Sequence, residues 1–140
     1  MGQRGHILVS SDNGATWKQS PVPVSSDLTA VFFVNDRKGW AVGHDGVVLA
    51  TLDGGSSWTR QLDGRMVVQI MQEHYLDRPG ADLPDGEALR KLQGDVKRFI
   101  AEGTDKPLLD VWFESESVGY VVGTFNLVLR TTDGGRSWVP

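Results

Sequence analysis

Three short segments place an aspartate, a hydroxyl residue and a tryptophan at one fixed spacing, and these are the residues with the most potential for chemistry. The segments are Ser10–Trp17, Thr51–Trp58 and Thr131–Trp138. Each reads hydroxyl, any, Asp, any, Gly, any, hydroxyl, Trp. Carboxylates can bind a metal or serve as general acids and bases when several of them converge on one site. A short acidic side chain can instead accept hydrogen bonds from backbone N–H groups within its own turn.

We interpret the three motifs as structural turns. Glycine at the fifth position suits a left-handed backbone conformation, and each tryptophan offers a large ring whose burial would contribute roughly 2–3 kcal/mol. Motifs spread along a repeat would occupy equivalent places on separate units, whereas an active site needs convergence. The structural residues predicted on this basis are Asp12, Gly14, Trp17, Asp53, Gly55, Trp58, Asp133, Gly135 and Trp138.

Other residue types that carry chemistry are sparse. His6, His44 and His74 are the only histidines and show no metal-ligand spacing. Cysteine is absent, which excludes a disulfide, a thiolate nucleophile and a cysteine-based zinc site. No glycine-rich phosphate loop is present. We therefore expect no enzyme activity, no metal and no cofactor.

Charge and hydropathy narrow the classes of partner. Lys plus Arg is 14 and Asp plus Glu is 18, for a formal net charge of -4. This balance argues against nucleic acid, because affinity for phosphates depends on clustered basic residues. No apolar run approaches the roughly 20 residues that span a bilayer, and the N-terminal residues lack a signal-peptide pattern. We expect neither nucleic-acid binding nor direct membrane insertion.

An internal duplication extends upstream of the motifs. Val31 to Trp58 aligns without a gap on Val111 to Trp138, a span of 28 residues. Trp17 and Trp58 are 41 residues apart, whereas Trp58 and Trp138 are 80 apart, one period plus 39 additional residues. A period near 40 with several short strands is typical of a β-propeller blade.

The strand pattern predicts an all-β protein of about two and a half propeller blades, each a four-stranded antiparallel meander, with an inserted helical hairpin. The whole chain, 1–140, is one propeller segment. Its predicted parts are a partial blade at 1–24, a blade at 25–62, a helical insertion at 63–106 and a blade at 107–140.

The insertion departs from the strand pattern. Apolar residues at helical spacing predict helices from about Arg65 to Leu76 and from about Glu87 to Glu102. The intervening segment is rich in proline and glycine and reads as a loop. The apolar side of the hairpin could pack on its own sheets or dock another protein, and the sequence leaves both interpretations open.

The repeat as a whole resembles a known family. The three motifs look like the Asp-box, or BNR repeat, of sialidases and many other propellers. The longer pattern, with the segment Gly39 to Gly43 followed by Gly46, Leu49 and the second motif, resembles the photosystem II stability and assembly factors and their bacterial relatives. The resemblance implies a seven-bladed propeller in the complete protein. It also implies a non-enzymatic factor that binds a protein client, holding or assembling a membrane-protein complex, and export to the periplasm or thylakoid lumen.

That family uses an arginine-rich face to bind its client, and the resemblance makes Arg60, Arg130 and Arg136 the candidate partner-binding residues. The alternative function is a carbohydrate-binding or sialidase-related fragment. The alternative would need a tyrosine nucleophile, but Tyr75 lies in the insertion and Tyr120 takes the position of Trp40 in the sister repeat.

Two and a half blades cannot close a ring of about 4–8 blades. Open blades leave apolar faces and unpaired strand edges, which favour association. We therefore expect either a piece of a longer protein or a homo-oligomer. In the homo-oligomer, the hairpin of residues 7–20 from one copy would complete the last blade of another.

Overall fold

The computed structural model describes all 140 residues and contains three antiparallel sheets in chain order, so the predicted all-β class is confirmed. The first sheet has two strands, the second has four and the third has three, and each strand pairs with its neighbour in sequence. The strands are β1 (Ile7–Val9), β2 (Lys18–Ser20), β3 (Leu28–Phe33), β4 (Gly39–Gly43), β5 (Val48–Thr51), β6 (Thr59–Leu62), β7 (Leu108–Phe113), β8 (Gly119–Gly123) and β9 (Val128–Thr131).

The second and third sheets repeat the same strand register. Trp40 pairs with Ala50 between β4 and β5, and Tyr120 pairs with Arg130 at the same place between β8 and β9. The pairing between the first two strands of each sheet also shifts register at the same position, just after Leu28 in β3 and just after Leu108 in β7. The gapless sequence repeat is therefore a repeat of backbone geometry.

Alternating side chains of the second sheet pack against the third and form the main core. Trp40, Val42 and Val48 point from the second sheet toward the third, where Val121 and Leu129 face them. All five side chains are buried. Such period-two alternation buries one face of each strand against the neighbouring sheet. Thr29 Oγ1 donates a 2.7 Å hydrogen bond to the Leu108 carbonyl and thereby links β3 to β7.

A smaller core joins the first sheet to the second. It contains Ile7 from β1 together with Leu28, Leu49 and Trp58 of the second sheet. Ser20 on β2 donates its hydroxyl hydrogen bond to the Gly55 carbonyl. The two-stranded first sheet therefore covers the outer part of the neighbouring face.

The insertion forms helix α1 (Gly64–Gln72), continues as a π-helical turn (Glu73–Asp77), and ends with helix α2 (Gly86–Ala101). Asp63 caps α1 by accepting a 3.0 Å hydrogen bond from the Met66 N–H. Val67 and Phe99 are buried and belong to the main core. The apolar sides of both helices therefore pack against the sheets. No helix in the structure has the length and apolar character required to cross a membrane.

One detailed expectation about self-association is wrong. The strands of residues 7–20 correspond to the third and fourth strands of a blade, because Trp17 takes the place of Trp58. The last blade already has its third strand, β9, and Val139 pairs with Arg130 at the place of the fourth. The hairpin of another copy would therefore meet positions that are already occupied.

Candidate functional site

Each of the three motifs forms a turn closed by its aspartate, here called an Asp turn. In the second Asp turn, Asp53 accepts hydrogen bonds from the Ser57 hydroxyl at 2.5 Å and the Ser57 N–H at 2.9 Å. The Thr51 hydroxyl donates to the same carboxylate at 2.8 Å and accepts from the Gly55 N–H at 2.9 Å. The carboxylate thus ties the start of the turn to its end. Gly55 has a φ of +90°, which strongly favours glycine.

The first and third Asp turns repeat these contacts. Asp133 accepts from Ser137 Oγ at 2.6 Å and from the Ser137 N–H at 2.9 Å. Asp12 accepts from Thr16 Oγ1 at 2.5 Å and from the Thr16 N–H at 2.8 Å. Each carboxylate uses both oxygens within its own turn.

These hydrogen bonds lower the pKa of all three aspartates from 3.8 to about 2. The hydroxyl of Thr16, Ser57 or Ser137 makes the largest contribution, followed by the N–H of the same residue. A carboxylate that accepts several hydrogen bonds favours its charged form. The shift therefore follows from the contacts inside each turn and needs no ligand.

The tryptophans that end the motifs differ in burial. The rings of Trp58 and Trp138 are buried, and each indole N–H donates to a carbonyl of its own turn, Gly55 or Gly135, at 3.1 Å. Trp17 is 62% exposed, so the expectation that all three rings are buried is wrong for this one. The reason is that Phe33 and Phe113 pack edge-on against Trp58 and Trp138, but the first sheet has no strand carrying a corresponding ring.

The three carboxylates do not converge. They lie in separate turns, between β1 and β2, between β5 and β6, and after β9. The structure contains no group of three or more acidic or histidine side chains arranged to hold a metal ion. An active site built from these aspartates has no geometric support.

The three candidate arginines lie on three different surfaces. Arg60, on β6, is 3.6 Å from Asp63 and lines a polar cleft of about 410 Å³ with Arg65. Arg130, on β9, is exposed. Arg136, in the third Asp turn, lines a separate groove. The fold does not gather these residues into one continuous basic face.

The groove at Arg136 combines an apolar wall with polar ends. It has a volume of about 240 Å³ and lies between α1 and the third Asp turn. Leu62, Met66, Ile70 and Trp138 supply apolar surface, while Glu73 and Arg136 supply charge. Sequence reasoning did not find this groove, because the periodicity of Met66 and Ile70 indicated only a helix with an apolar side.

The carbohydrate alternative gains no support from the structure. Tyr75 lies in the π-helical turn and contacts the His74 ring, with ring centroids 4.6 Å apart. Burial, with a further contribution from Asp82, raises the pKa of Tyr75, so its reactive phenolate form is disfavoured. The scattered arginines offer no joint site for a sugar carboxylate.

Stacked antiparallel sheets that carry Asp turns define the class of protein as a β-propeller segment. A family model described as "Photosynthesis system II assembly factor YCF48" matches residues 1–75, more than half of the chain. The chain belongs to this family.

Curated relatives carry corresponding names. A chloroplastic photosystem II stability/assembly factor HCF136 from Oryza sativa subsp. japonica is 29% identical over 153 residues, covering 96% of this chain and 35% of the relative. A photosystem II assembly lipoprotein Ycf48 from Synechococcus sp. (strain CC9902) is 25% identical over 130 residues, covering 93% and 28%. The chain thus spans about a third of the length of the relatives it matches.

Solved structures show the same fold. YCF48 from Cyanidioschyzon merolae aligns with a TM-score of 0.53 and 28% identity, over 89% of this chain and 29% of that one. A structure described as YCF48 bound to D1 peptide aligns with a TM-score of 0.50 and 18% identity, over 99% and 30%. The propeller assignment is therefore confirmed.

Proposed function

We propose that this chain is a non-enzymatic, protein-binding propeller segment that holds a photosystem II polypeptide during assembly of the complex. The observation that carries the proposal is family membership, together with relatives that are all named as photosystem II stability or assembly factors. One structural neighbour is described as binding a peptide of D1. The Asp turns serve the architecture in this proposal, since each carboxylate is fully engaged by its own turn.

The groove at Arg136 is the surface we assign to the client. An extended peptide fits a groove with apolar walls, and the guanidinium of Arg136 can pair with a carboxylate of the peptide in bidentate fashion. Arg60 is already engaged with Asp63 at 3.6 Å. Arg130 lies on the open outer face of the third sheet, so these two arginines make weaker candidates for the same peptide.

Binding of labelled, overlapping synthetic peptides that tile the D1 sequence tests this proposal by fluorescence anisotropy. We expect one region of D1 to bind saturably, and Arg136→Ala to weaken it about tenfold, the loss of one charge-assisted contact. Met66→Lys should weaken it as well, by placing a charge in the apolar wall.

The matched control is Arg78→Ala, an exposed arginine of the loop between the helices. This change should leave the affinity unaltered. Binding that responds to Arg78 and not to Arg136, or no saturable binding by any D1 peptide, would overturn the assignment. A sialylated or other glycan that bound in competition with the peptide would favour the carbohydrate alternative.

A further inference from the structure

The exposed side of α2 carries a glycine that is surrounded by positive charge. On a helix surface, the neighbours of a residue are those three and four positions before and after it. For Gly94 all of these neighbours are basic and exposed, and we call them the basic quartet: Arg90, Lys91, Lys97 and Arg98. The quartet lies on the side of α2 opposite to Val96 and Phe99, which are buried. The helix therefore presents a compact positive patch on a chain whose net charge is -4.

Nothing within the chain requires glycine at position 94. The backbone of Gly94 is helical rather than left-handed, and the residue lies near the middle of the 16-residue helix. Apart from the local helix backbone, no atom lies within 4 Å of the place that a β-carbon would take. Glycine is the least favourable residue in a helix interior after proline, so the fold alone does not account for it. A missing side chain does, however, let another molecule approach the helix backbone closely.

The charges of the basic quartet have no ionic partners within the chain. The two ion pairs of the structure, Arg60 with Asp63 and His74 with Asp82, lie outside α2. Lys91 is four positions before Asp95, a spacing at which a helix can form an ion pair, yet these two side chains do not pair. All four cations of the quartet are therefore available to a ligand.

Charge complementarity requires an anionic ligand, and the residues beside the quartet restrict its size. Glu87 lies seven positions before Gly94 and so on the same face, while Asp95 adjoins the quartet on one side. A flat anionic membrane or a long nucleic acid would meet these carboxylates as well. Helices that bind membrane surfaces also expose an apolar side, but Phe99 on the apolar side of α2 belongs to the main core. A narrow ligand whose carboxylates reach only the basic quartet avoids both conflicts.

We propose that the basic quartet binds an acidic helix of a partner protein, which crosses α2 at Gly94. Carboxylates on one side of such a helix, three or four positions apart, can pair with the cations on both sides of the glycine. The absent side chain lets the two helix axes come close together. The groove at Arg136 lies between α1 and the third Asp turn, so the quartet is a separate surface and this inference goes beyond the proposed function.

An alanine-based peptide of about 18 residues, long enough to be helical in water, serves as the probe, with glutamates three and four positions apart along one side. Fluorescence anisotropy of the dye-labelled peptide, titrated with the 140-residue protein in low salt, should show saturable binding. Binding should weaken as salt is added, because salt screens exposed charges. The same peptide with glutamine in place of each glutamate is the control ligand and should not bind.

Two variants separate the role of the charge from that of the glycine. Lys97→Glu reverses one charge of the quartet, and Gly94→Leu covers the helix backbone without changing the charge. Each should fold normally, as checked by circular dichroism, and weaken binding of the glutamate peptide about tenfold. The matched controls are Lys18→Glu, at an exposed lysine of β2, and Ala88→Leu, at an exposed residue of α2 outside the quartet. Both controls should bind the peptide as the parent does.

The inference is overturned by absence of saturable binding, by equal binding of the glutamine peptide, or by a Gly94→Leu variant that binds like the parent. Binding to phosphatidylglycerol vesicles that depended on Lys97, without peptide binding, would assign the face to a membrane surface instead. A dimer of the protein alone that Lys97→Glu dissociated would assign it to a second copy. Binding of D1 peptides at Arg136 is measured separately, so failure of either proposal leaves the other standing.

Discussion

The indole of Trp40 lies parallel to the ring of Phe113, with 3.3 Å between the ring centroids, and its N–H donates a 3.3 Å hydrogen bond to the Gly134 carbonyl. Gln61 donates a second hydrogen bond to the same carbonyl at 3.0 Å. One residue of the second sheet is thus joined by stacking to β7 and by a hydrogen bond to the third Asp turn. This contact connects the two complete repeats.

We expect Trp40→Ala to lower the free energy of unfolding by about 3–5 kcal/mol, because it removes a fully buried ring and leaves a cavity between the sheets. Urea unfolding followed by circular dichroism measures the change. Trp17→Ala removes a ring that is 62% exposed in the first Asp turn, away from this contact, and is the matched control, with an expected loss below about 1 kcal/mol. Equal losses for both variants would contradict a central role for the stack.

The lowered pKa values of the aspartates in the Asp turns predict that the protein loses stability in acid. Their folded pKa of about 2 is below the ordinary value of 3.8, so the folded state resists protonation more than the unfolded state does. The contribution is fully present well above pH 3.8 and is lost as the pH falls toward 2. Unfolding midpoints in urea should decrease across this window.

Asp53→Asn isolates the contribution of the second Asp turn. The variant should be less stable than the parent at neutral pH and should show a shallower decrease in acid, because one lowered pKa has been removed. Asp36→Asn, an exposed aspartate outside the Asp turns, is the control. A variant whose acid dependence matched that of the parent would show that the hydrogen bonds of Asp53 do not contribute.

Lys106 should hold the insertion in place. Its ammonium group is buried and donates to the Phe99 carbonyl at 2.6 Å and to the Gly103 carbonyl at 2.8 Å, at the C-terminal end of α2. We expect Lys106→Met to leave these carbonyls without a donor and to cost about 1–3 kcal/mol. Hydrogen exchange of the variant should be faster than that of the parent in α2 and unchanged in β3 to β5. Lys97→Met, which changes an exposed lysine of α2, is the control and should leave both unchanged.

Exposed apolar side chains on the outer face of the third sheet, the face turned away from the second sheet, lead us to expect self-association. Val128 is 49% exposed, although the equivalent Val48 is fully buried against a neighbouring sheet, and Trp112 and Val122 are exposed beside it. We expect a homo-oligomer in which two copies bring these faces together. Size-exclusion chromatography with light scattering should report a dimer for the parent and a monomer for Val128→Glu.

Leu52→Glu provides the control for this charge substitution, because Leu52 is exposed in the second Asp turn and away from that face. It should leave the dimer intact. A parent protein that remained monomeric throughout the accessible concentration range would count against association through the third sheet.

The periodicity of the sequence was sufficient to predict the class of fold. Strand and turn residues recur in local order, and each antiparallel strand pairs with its sequence neighbour, so little long-range information was needed. The helices were predicted for the same reason, although α1 ends at Gln72 and continues as a π-helical turn where one helix was expected to reach Leu76. The spacing of apolar residues in the sequence does not distinguish an α-helix from a π-helical turn.

The sequence by itself determined the repeated meander and the residues of the Asp turns, because both depend on neighbours within about one repeat. Only the tertiary structure decided which equivalent side chains are covered. Trp17 and Trp58 share one motif, and Phe33 and Phe113 share one register, yet one member of each pair is exposed. Burial depends on the sheet that packs alongside, which a local motif does not specify. The separation of the three arginines and the groove between α1 and the third Asp turn likewise depend on how whole elements pack together.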